Sequence, residues 1–200
     1  MNSNDGMLLK ISLGNSKLGN IPNLSLPPII SCRQDVPCHS DCYAQKFYRM
    51  WPSVKAAWDS NLRLYDEDPD RFFGDLIVWL TINKPPRFRL HVSGDFPDEM
   101  YFIRMCDVFE AQPQTQCLVF TKCYDYPLRV APPNMKVVLS LWPGLDTPEA
   151  ADEFACAYLS HDPRVDRFET VIKCKGSCTE CEHKCFYNIG PELPVVFDKH

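Results

Sequence analysis

Glycine is scarce in this chain, at 8 of 200 residues, basic residues do not outnumber acidic ones, and no apolar run is long. Each shortage excludes a class. Few glycines at no fixed period exclude a collagen-like chain, and no low-complexity tract or sequence repeat is present. Lys+Arg 21 against Asp+Glu 26 gives a net charge of −5, so the molecule as a whole offers no electrostatic footprint for duplex DNA, and nucleic acid is not indicated as a partner. The longest compact apolar run, Leu76-Ile77-Val78-Trp79-Leu80, is about a quarter of the ~20 residues that cross a bilayer, so no membrane partner is expected. The opening residues MNSNDGMLLK lack the basic-then-apolar order of an export signal. A soluble, cytoplasmic protein is expected.

What is there is ordinary in bulk and unusual in two counts. A hydrophobic fraction of 45% with 24% charged residues belongs to a globular protein with a packed core. Two hundred residues make one domain of ordinary size. Proline, at 18 residues, is nearly twice its usual ~5% share, so the connections are stiff. Cysteine numbers 11, an odd count that leaves at least one thiol outside any internal disulfide. In a reducing compartment closely spaced thiols bind metal rather than pair.

From Met7 to about Ser31 the chain reads as a strand followed by an irregular Pro/Gly/Asn stretch that delivers Cys32. Val54, Ala57, Trp58, Leu62 and Tyr65 share one helical face over residues 53–65. A second helix follows Pro69, with Phe72, Phe73, Leu76, Ile77 and Leu80 inward, and ends before Pro85-Pro86. Beyond Pro86 short apolar runs alternate with amphipathic segments. Strands are expected at Phe88–Val92, Leu118–Thr121, Val137–Leu141 and Phe168–Ile172, and helices over Asp98–Ala111 and Thr147–Leu159. Strands separated by helices call for a parallel sheet. The sequence therefore reads as an α/β domain, a partial (β/α) barrel of about five to six mainly parallel strands over residues 1–172. A cysteine-rich tail, 173–200, packs on the same domain.

Two cysteine groups carry the chemistry. Cys32, Cys38 and Cys42 fall within eleven residues on a loop between the first strand and the first long helix. Thiolates select zinc, cuprous copper or iron–sulfur clusters. A zinc ion would want a fourth ligand, from His39 or a distant cysteine, whereas a 4Fe-4S cluster on three cysteines keeps one iron open for a small molecule. The second group, Cys174, Cys178, Cys181 and Cys185, places four thiols within twelve residues. That compact run favours a four-thiolate 4Fe-4S cluster over zinc, whose usual sites pair two short couples across a longer loop. His183 reads as a solvated neighbour, since four thiolates already close the site.

The other four thiols are weaker signals. Cys106 and Cys117 sit on core faces and Cys156 borders one, as inert buried cysteines do. Cys123 ends a strand, where parallel sheets place their sites, and is the one weak catalytic candidate. By the same rule the turn after the Phe88–Val92 strand, Ser93-Gly94-Asp95, is a candidate ligand turn, in which Gly94 would let backbone approach a bound molecule. It is equally an ordinary turn. His91 reads as a satisfied core histidine, while Lys122 and Ser140 close the next two strands. Lys84, Arg87 and Arg89 with Phe88 could touch a nucleic acid locally, although a solvated loop accounts for them as well.

These segments together resemble the phage gene product 88 family and, more distantly, phage proteins related to radical S-adenosylmethionine enzymes. The resemblance is carried by Leu26-Pro27-Pro28-Ile29-Ile30-Ser31-Cys32, by Cys38 through Cys42-Tyr43-Ala44 with Lys46, by His91-Val92-Ser93-Gly94-Asp95-Phe96, by Phe120-Thr121-Lys122, by Val138-Leu139-Ser140, and by the four-cysteine tail. It implies a 4Fe-4S cluster on Cys32, Cys38 and Cys42 with S-adenosylmethionine on the open iron. It further implies that Tyr43 lies beside the cofactor, that Ser93, Gly94 and Asp95 hold its amino group, and that Lys122 meets its carboxylate, with Ser140 on the same rim. The gaps of five and three residues between these cysteines differ from the gaps of three and two usual in radical enzymes.

The expected function is that of an iron–sulfur protein, a radical S-adenosylmethionine-like enzyme acting on an unknown substrate and drawing on an electron donor. It would work in the cytoplasm of the host cell if a phage encodes it. Two other classes fit the residues. One is a non-catalytic iron–sulfur or zinc module that binds a host protein or nucleic acid; the other is a redox protein with two clusters.

Overall fold

The computed structural model describes residues 8–179, 181 and 185–198. Its strands are β1 (Asn23–Leu24), β2 (Arg87–Leu90), β3 (Gln116–Thr121), β4 (Met135–Ser140), β5 (Ala155–Leu159), β6 (Ile172–Lys173) and β7 (Val195–Phe197). They form one sheet in the order β1-β2-β3-β4-β5-β7-β6, with every neighbouring pair parallel. Four α-helices accompany it: α1 (Tyr43–Met50), α2 (Pro52–Glu67), α3 (Pro69–Asn83) and α4 (Glu99–Glu110). The protein is thus mixed α/β, with an open parallel sheet compatible with a partial barrel.

Much of the proline surplus goes into starting helices. Pro52 and Pro69 occupy the first position of α2 and α3, where the missing N–H has no intrahelical partner to lose and the fixed φ suits the helix. The Asp68 carboxylate accepts from the Arg71 N–H at 3.0 Å and that of Asp98 from the Tyr101 N–H at 2.8 Å. Each cap satisfies one of the orphan donors of its helix.

Alternation along the strands divides the core in two. Phe88, Leu90, Val119, Val137, Leu139 and Tyr158 face Leu64, Phe72, Phe73, Leu76, Tyr101 and Phe102 of the helices. On the opposite face Leu118, Val138, Ala155, Ala157 and Val195 meet Leu18 and Ile21 from the start of the chain and Phe186 and Ile189 from the tail. Helices therefore cover one side and irregular chain the other. Because both faces of the sheet's centre are buried, β3, β4 and β5 are mostly apolar, as in parallel sheets generally.

Three expectations change. The segment read as a helix over Thr147–Leu159 is a short 3₁₀ turn, Glu149–Asp152, followed by β5. The run Ala155-Cys156-Ala157-Tyr158-Leu159 is buried at every position, and small alanines leave room for the tail on one face. Such a short apolar run carries no periodicity to separate buried strand from helix. The strand expected at Phe168–Ile172 shrinks to β6, behind a 3₁₀ turn at Pro163–Arg167. At the amino end the strand is β1, inside the stretch read as irregular; Ser12 meets it only through an antiparallel bridge to Asn23. No helix among the described residues is long and apolar enough to cross a membrane.

Candidate functional site

In a parallel sheet all carboxyl ends share one edge, and the loops leaving that edge meet above it. Here the loop after β1 carries Cys32, Cys38 and Cys42, the turn after β2 is Ser93-Gly94-Asp95, Lys122 follows β3, and Ser140 ends β4. All of them, with Tyr43, line a single cleft of about 210 Å³. That volume is below the ~300–1,000 Å³ of pockets that enclose a drug-sized ligand, so the cleft suits a small molecule or one end of a larger one.

Both ends of the cysteine loop are tied to strand exits. The Arg33 guanidinium donates to the Lys122 carbonyl at 3.1 Å and pairs with Asp35 and Asp125. At the far end the Tyr43 hydroxyl donates to the Val92 carbonyl. The flank of the Tyr43 ring is exposed, yet its hydroxyl is desolvated against the cleft, which raises its pKa. Burial, with the charge of Asp95 adding, pushes the Cys32 thiol up to about 12, and the charges of Cys38 and Cys42 push the same way. Cys38 is raised by burial and eased back by Lys122. The three thiols thus lie in one another's field on one wall. Nε2 of His39, in the same loop, is buried without a hydrogen-bond partner.

The turn after β2 is built differently from its sequence reading. Gly94 has φ +80°, and a Cβ there would lie 2.4 Å from the Ser31 Oγ and 2.9 Å from the Leu26 Cβ. The close approach that demands glycine is therefore to the chain leading into the cysteine loop. Asp95 is buried, and its carboxylate accepts from the Thr121 hydroxyl at 2.7 Å, the Lys122 N–H at 2.8 Å and the Phe96 N–H at 2.9 Å. Burial raises its pKa against those hydrogen bonds. Asp95 stitches the exit of β2 to that of β3. The Ser93 hydroxyl, by contrast, is buried with no partner.

His91 is the residue that sequence reasoning undervalued. It stands just past β2 in the left-handed region, φ 56°, a strained conformation for a residue with a Cβ and one that gathers at functional sites. Nε2 lies 3.2 Å from the Tyr101 hydroxyl, while Nδ1 is buried without a hydrogen-bond partner among the described residues, and the residue is one of those lining the cleft. Burial, helped by the charge of Arg89, lowers its pKa to about 3, so the ring is neutral at physiological pH. No periodicity distinguishes such a histidine from one at rest in the core. The orphaned nitrogen is visible only in three dimensions.

The remaining candidates separate. Lys122 Nζ donates to the Ser140 Oγ at 3.1 Å and lies 5.4 Å from the centre of the Trp142 ring. Cys123 is buried beneath the edge, outside the cleft lining, with its thiol 3.6 Å from the Phe96 carbonyl and its pKa raised by burial. Cys106, Cys117 and Cys156 are buried in the core. In the tail, Cys174, Cys178 and Cys185 pack against the irregular side of the sheet. The Cys178 N–H donates to the Lys17 carbonyl at 2.7 Å and that of Cys174 to the Val196 carbonyl at 2.9 Å. Cys181 is half-buried; His183 lies outside the described residues. None of the four lines the cleft. Burial raises Cys185 to about 11, with the other tail thiols adding. Among the described residues no three His, Cys, Asp or Glu side chains converge closely enough to hold a metal ion. Arg87 and Arg89 are not on a solvated loop but on β2, stacked over Phe186 and Phe120.

Fold and cleft together define an open parallel α/β protein with a thiol-walled cleft at the carboxyl edge of its sheet. The chain matches the gene product 88 family over residues 3–148 and belongs to that family. The matched span holds the cysteine loop, the Ser93-Gly94-Asp95 turn, Lys122 and Ser140, and ends before β5 and the tail. No curated protein and no solved structure matches the chain.

Proposed function

We propose that the cleft is the cofactor site of an iron–sulfur protein related to radical S-adenosylmethionine enzymes, with Cys32, Cys38 and Cys42 holding a 4Fe-4S cluster. The observation that carries this reading is the gathering of those three thiols with Tyr43, the turn after β2, Lys122 and Ser140 around one cavity. The donor set is soft and local, as such a cluster needs. Two of the lining residues carry a buried polar atom, Ser93 Oγ and His91 Nδ1, with no partner among the described residues, and an unsatisfied buried group of this kind is expensive unless a ligand or water meets it. Bound together, cluster and cofactor would supply one-electron chemistry. The chain's own share is placement: Ser93 and His91 offer hydrogen bonds, Lys122 offers a cation for a carboxylate, and the loop tethered by Arg33 and Tyr43 limits water. Cys174, Cys178, Cys181 and Cys185 would hold a second cluster, or zinc.

A second reading has its own support. Gly94 and Asp95 are accounted for by contacts within the protein, which leaves less of the turn for a cofactor and favours a non-catalytic iron–sulfur or zinc module. One preparation separates them. Anaerobically purified protein is expected to carry about eight irons with matching acid-labile sulfide, if both groups hold 4Fe-4S clusters, and a paramagnetic signal that changes on adding S-adenosylmethionine. Stoichiometric zinc without sulfide would exclude the cluster reading. A full cluster complement with no response to S-adenosylmethionine leaves the two-cluster module.

A further inference from the structure

The cleft holds cations that form no ion pair among the described residues. Arg33 is bound to Asp35 and Asp125, but Arg89, Lys17 and Lys122 form no ion pair among the described residues. Each rests on an aromatic ring instead. The Arg89 guanidinium lies 4.2 Å from the centre of Phe120, Lys17 Nζ lies 5.4 Å from that of Phe197, and the two rings meet edge to face at 5.7 Å. The result is a pair of cations flanking a pair of rings on the irregular side of the sheet. A ring face attracts a cation without discharging it, so both keep their charge; Arg89 also lies in the field of Cys178 and Cys185, and Lys17 in that of Cys178. Arg89 is also partly buried, where its charge is poorly screened by water.

Of the three carboxylates lining the cleft, Asp95 is occupied by three donors, and Asp41 and Asp198 are exposed. The molecule as a whole is negative, at −5, so a positive cleft concentrates small anions while the outer surface repels large ones. A guanidinium presents parallel N–H donors that match two oxygens of a phosphoryl group, and a lysine adds a point charge. We propose that Arg89 and Lys17 form an oxyanion subsite in the cleft that takes the phosphoryl group of a small substrate, whose apolar body lies along Phe120 and Phe197. The proposal rests on the cleft being a ligand site and not on a cluster within it.

Pyrophosphate titrated calorimetrically into the anaerobically purified full chain is the test, with iron measured on the same samples so that cluster loss is not read as anion loss. The wild type should bind, and Arg89→Gln should weaken binding about ten- to a hundredfold, the usual effect of losing a charged hydrogen-bond donor. Lys17→Gln, a half-buried position, should weaken it at least threefold and serves if Arg89→Gln fails to fold. Arg104→Gln should change nothing, although Arg104 is likewise stacked, 4.3 Å from the centre of Phe73, because it lies outside the cleft. Succinate should bind more weakly than pyrophosphate; equal affinity would overturn the phosphoryl assignment. No pyrophosphate binding by the wild type, or equal affinity in wild type and both cleft variants, overturns the subsite. So does a loss of tail metal in Arg89→Gln with affinity intact, which would assign the arginine to Cys178 and Cys185. Zinc in place of iron, or silence toward S-adenosylmethionine, sinks the earlier reading and leaves these affinities untouched.

Discussion

The two cysteine groups have the same chemistry and similar spacing, yet the fold uses them in opposite settings. Cys32, Cys38 and Cys42 ride a loop leaving the carboxyl edge of the sheet and face a cavity whose wall includes buried polar atoms without partners. Cys174, Cys178 and Cys185 pack against the flank of the sheet, beside Phe186 and Ile189, and close a core. The first setting leaves space for a ligand; the second fills space. A run of thiols therefore says that metal is a candidate, and only the surroundings say whether anything else can reach it.

The largest effect should come from deleting one thiol in each group. Cys38→Ala is expected to abolish the response of the paramagnetic signal to S-adenosylmethionine, whereas Cys178→Ala should keep that response and lose up to half the iron. Loss of the response in Cys178→Ala with its survival in Cys38→Ala would reverse the assignment.

Two left-handed glycines sharpen the same contrast in stability. Gly94→Val meets both the strain of φ +80° and the contacts with Ser31 and Leu26, so urea denaturation should show a loss of about 2–5 kcal/mol, strain and overpacking together. Gly176→Val, in the tail at φ +79° with open space around it, should lose only the ~1–2 kcal/mol of strain. Equal losses would mean that the turn after β2 is no more tightly built than the tail.

Acid should act on the cleft through His91. Its folded pKa, about 3, lies below the unfolded value near 6.5, so the unfolded chain takes up a proton that the native state refuses. The stability this residue carries is complete above about pH 6.5, falls as pH drops toward 3 by about 1.4 kcal/mol per pH unit, and then levels. His91→Leu should flatten the stability profile in that window, measured as the wild-type-minus-variant difference. A difference independent of pH would mean that the ring is hydrated in the native protein. The smallest effect is expected from Lys122→Ala, which removes one partly exposed hydrogen bond to Ser140 and should change stability by no more than about 1 kcal/mol.

The helices were legible because their signals are local. Pro52, Pro69, Asp68 and Asp98 mark where α2, α3 and α4 begin, and the apolar spacing of Phe72, Phe73, Leu76 and Leu80 names the inner face of α3, although Ile77, expected on that face, is exposed at its border. The central strands announced themselves as short apolar runs. β5 did not, because Ala155-Cys156-Ala157 is strand only by virtue of the two layers that bury it, and α1 did not because Ala44 is its one buried residue. Thiol spacing picked out the cysteine loop, and the rule that parallel strands put their sites at their carboxyl ends picked out Ser93, Lys122 and Ser140, but also Cys123, which is outside the cleft lining. It could not reveal that Gly94 and Asp95 serve the protein's own backbone, that His91 keeps a bare nitrogen, or that Arg89 stacks on a ring contributed by the next strand. Those facts belong to contacts between residues far apart in sequence.

The order of the strands also sets an order of assembly. β7 lies between β5 and β6, pairing with both, although residues 174–194 separate it in sequence from β6. As the chain emerges during synthesis, β6 has no strand to pair with until residues 195–197 are made, and the segment between the two strands, which carries the four tail cysteines, is tied to the sheet at both ends only then. A nascent chain arrested before Val195 can form its cleft-side loop but lacks the strand that ties β6 to the sheet. The second cysteine group is in this sense fully framed only once β7 has joined the sheet.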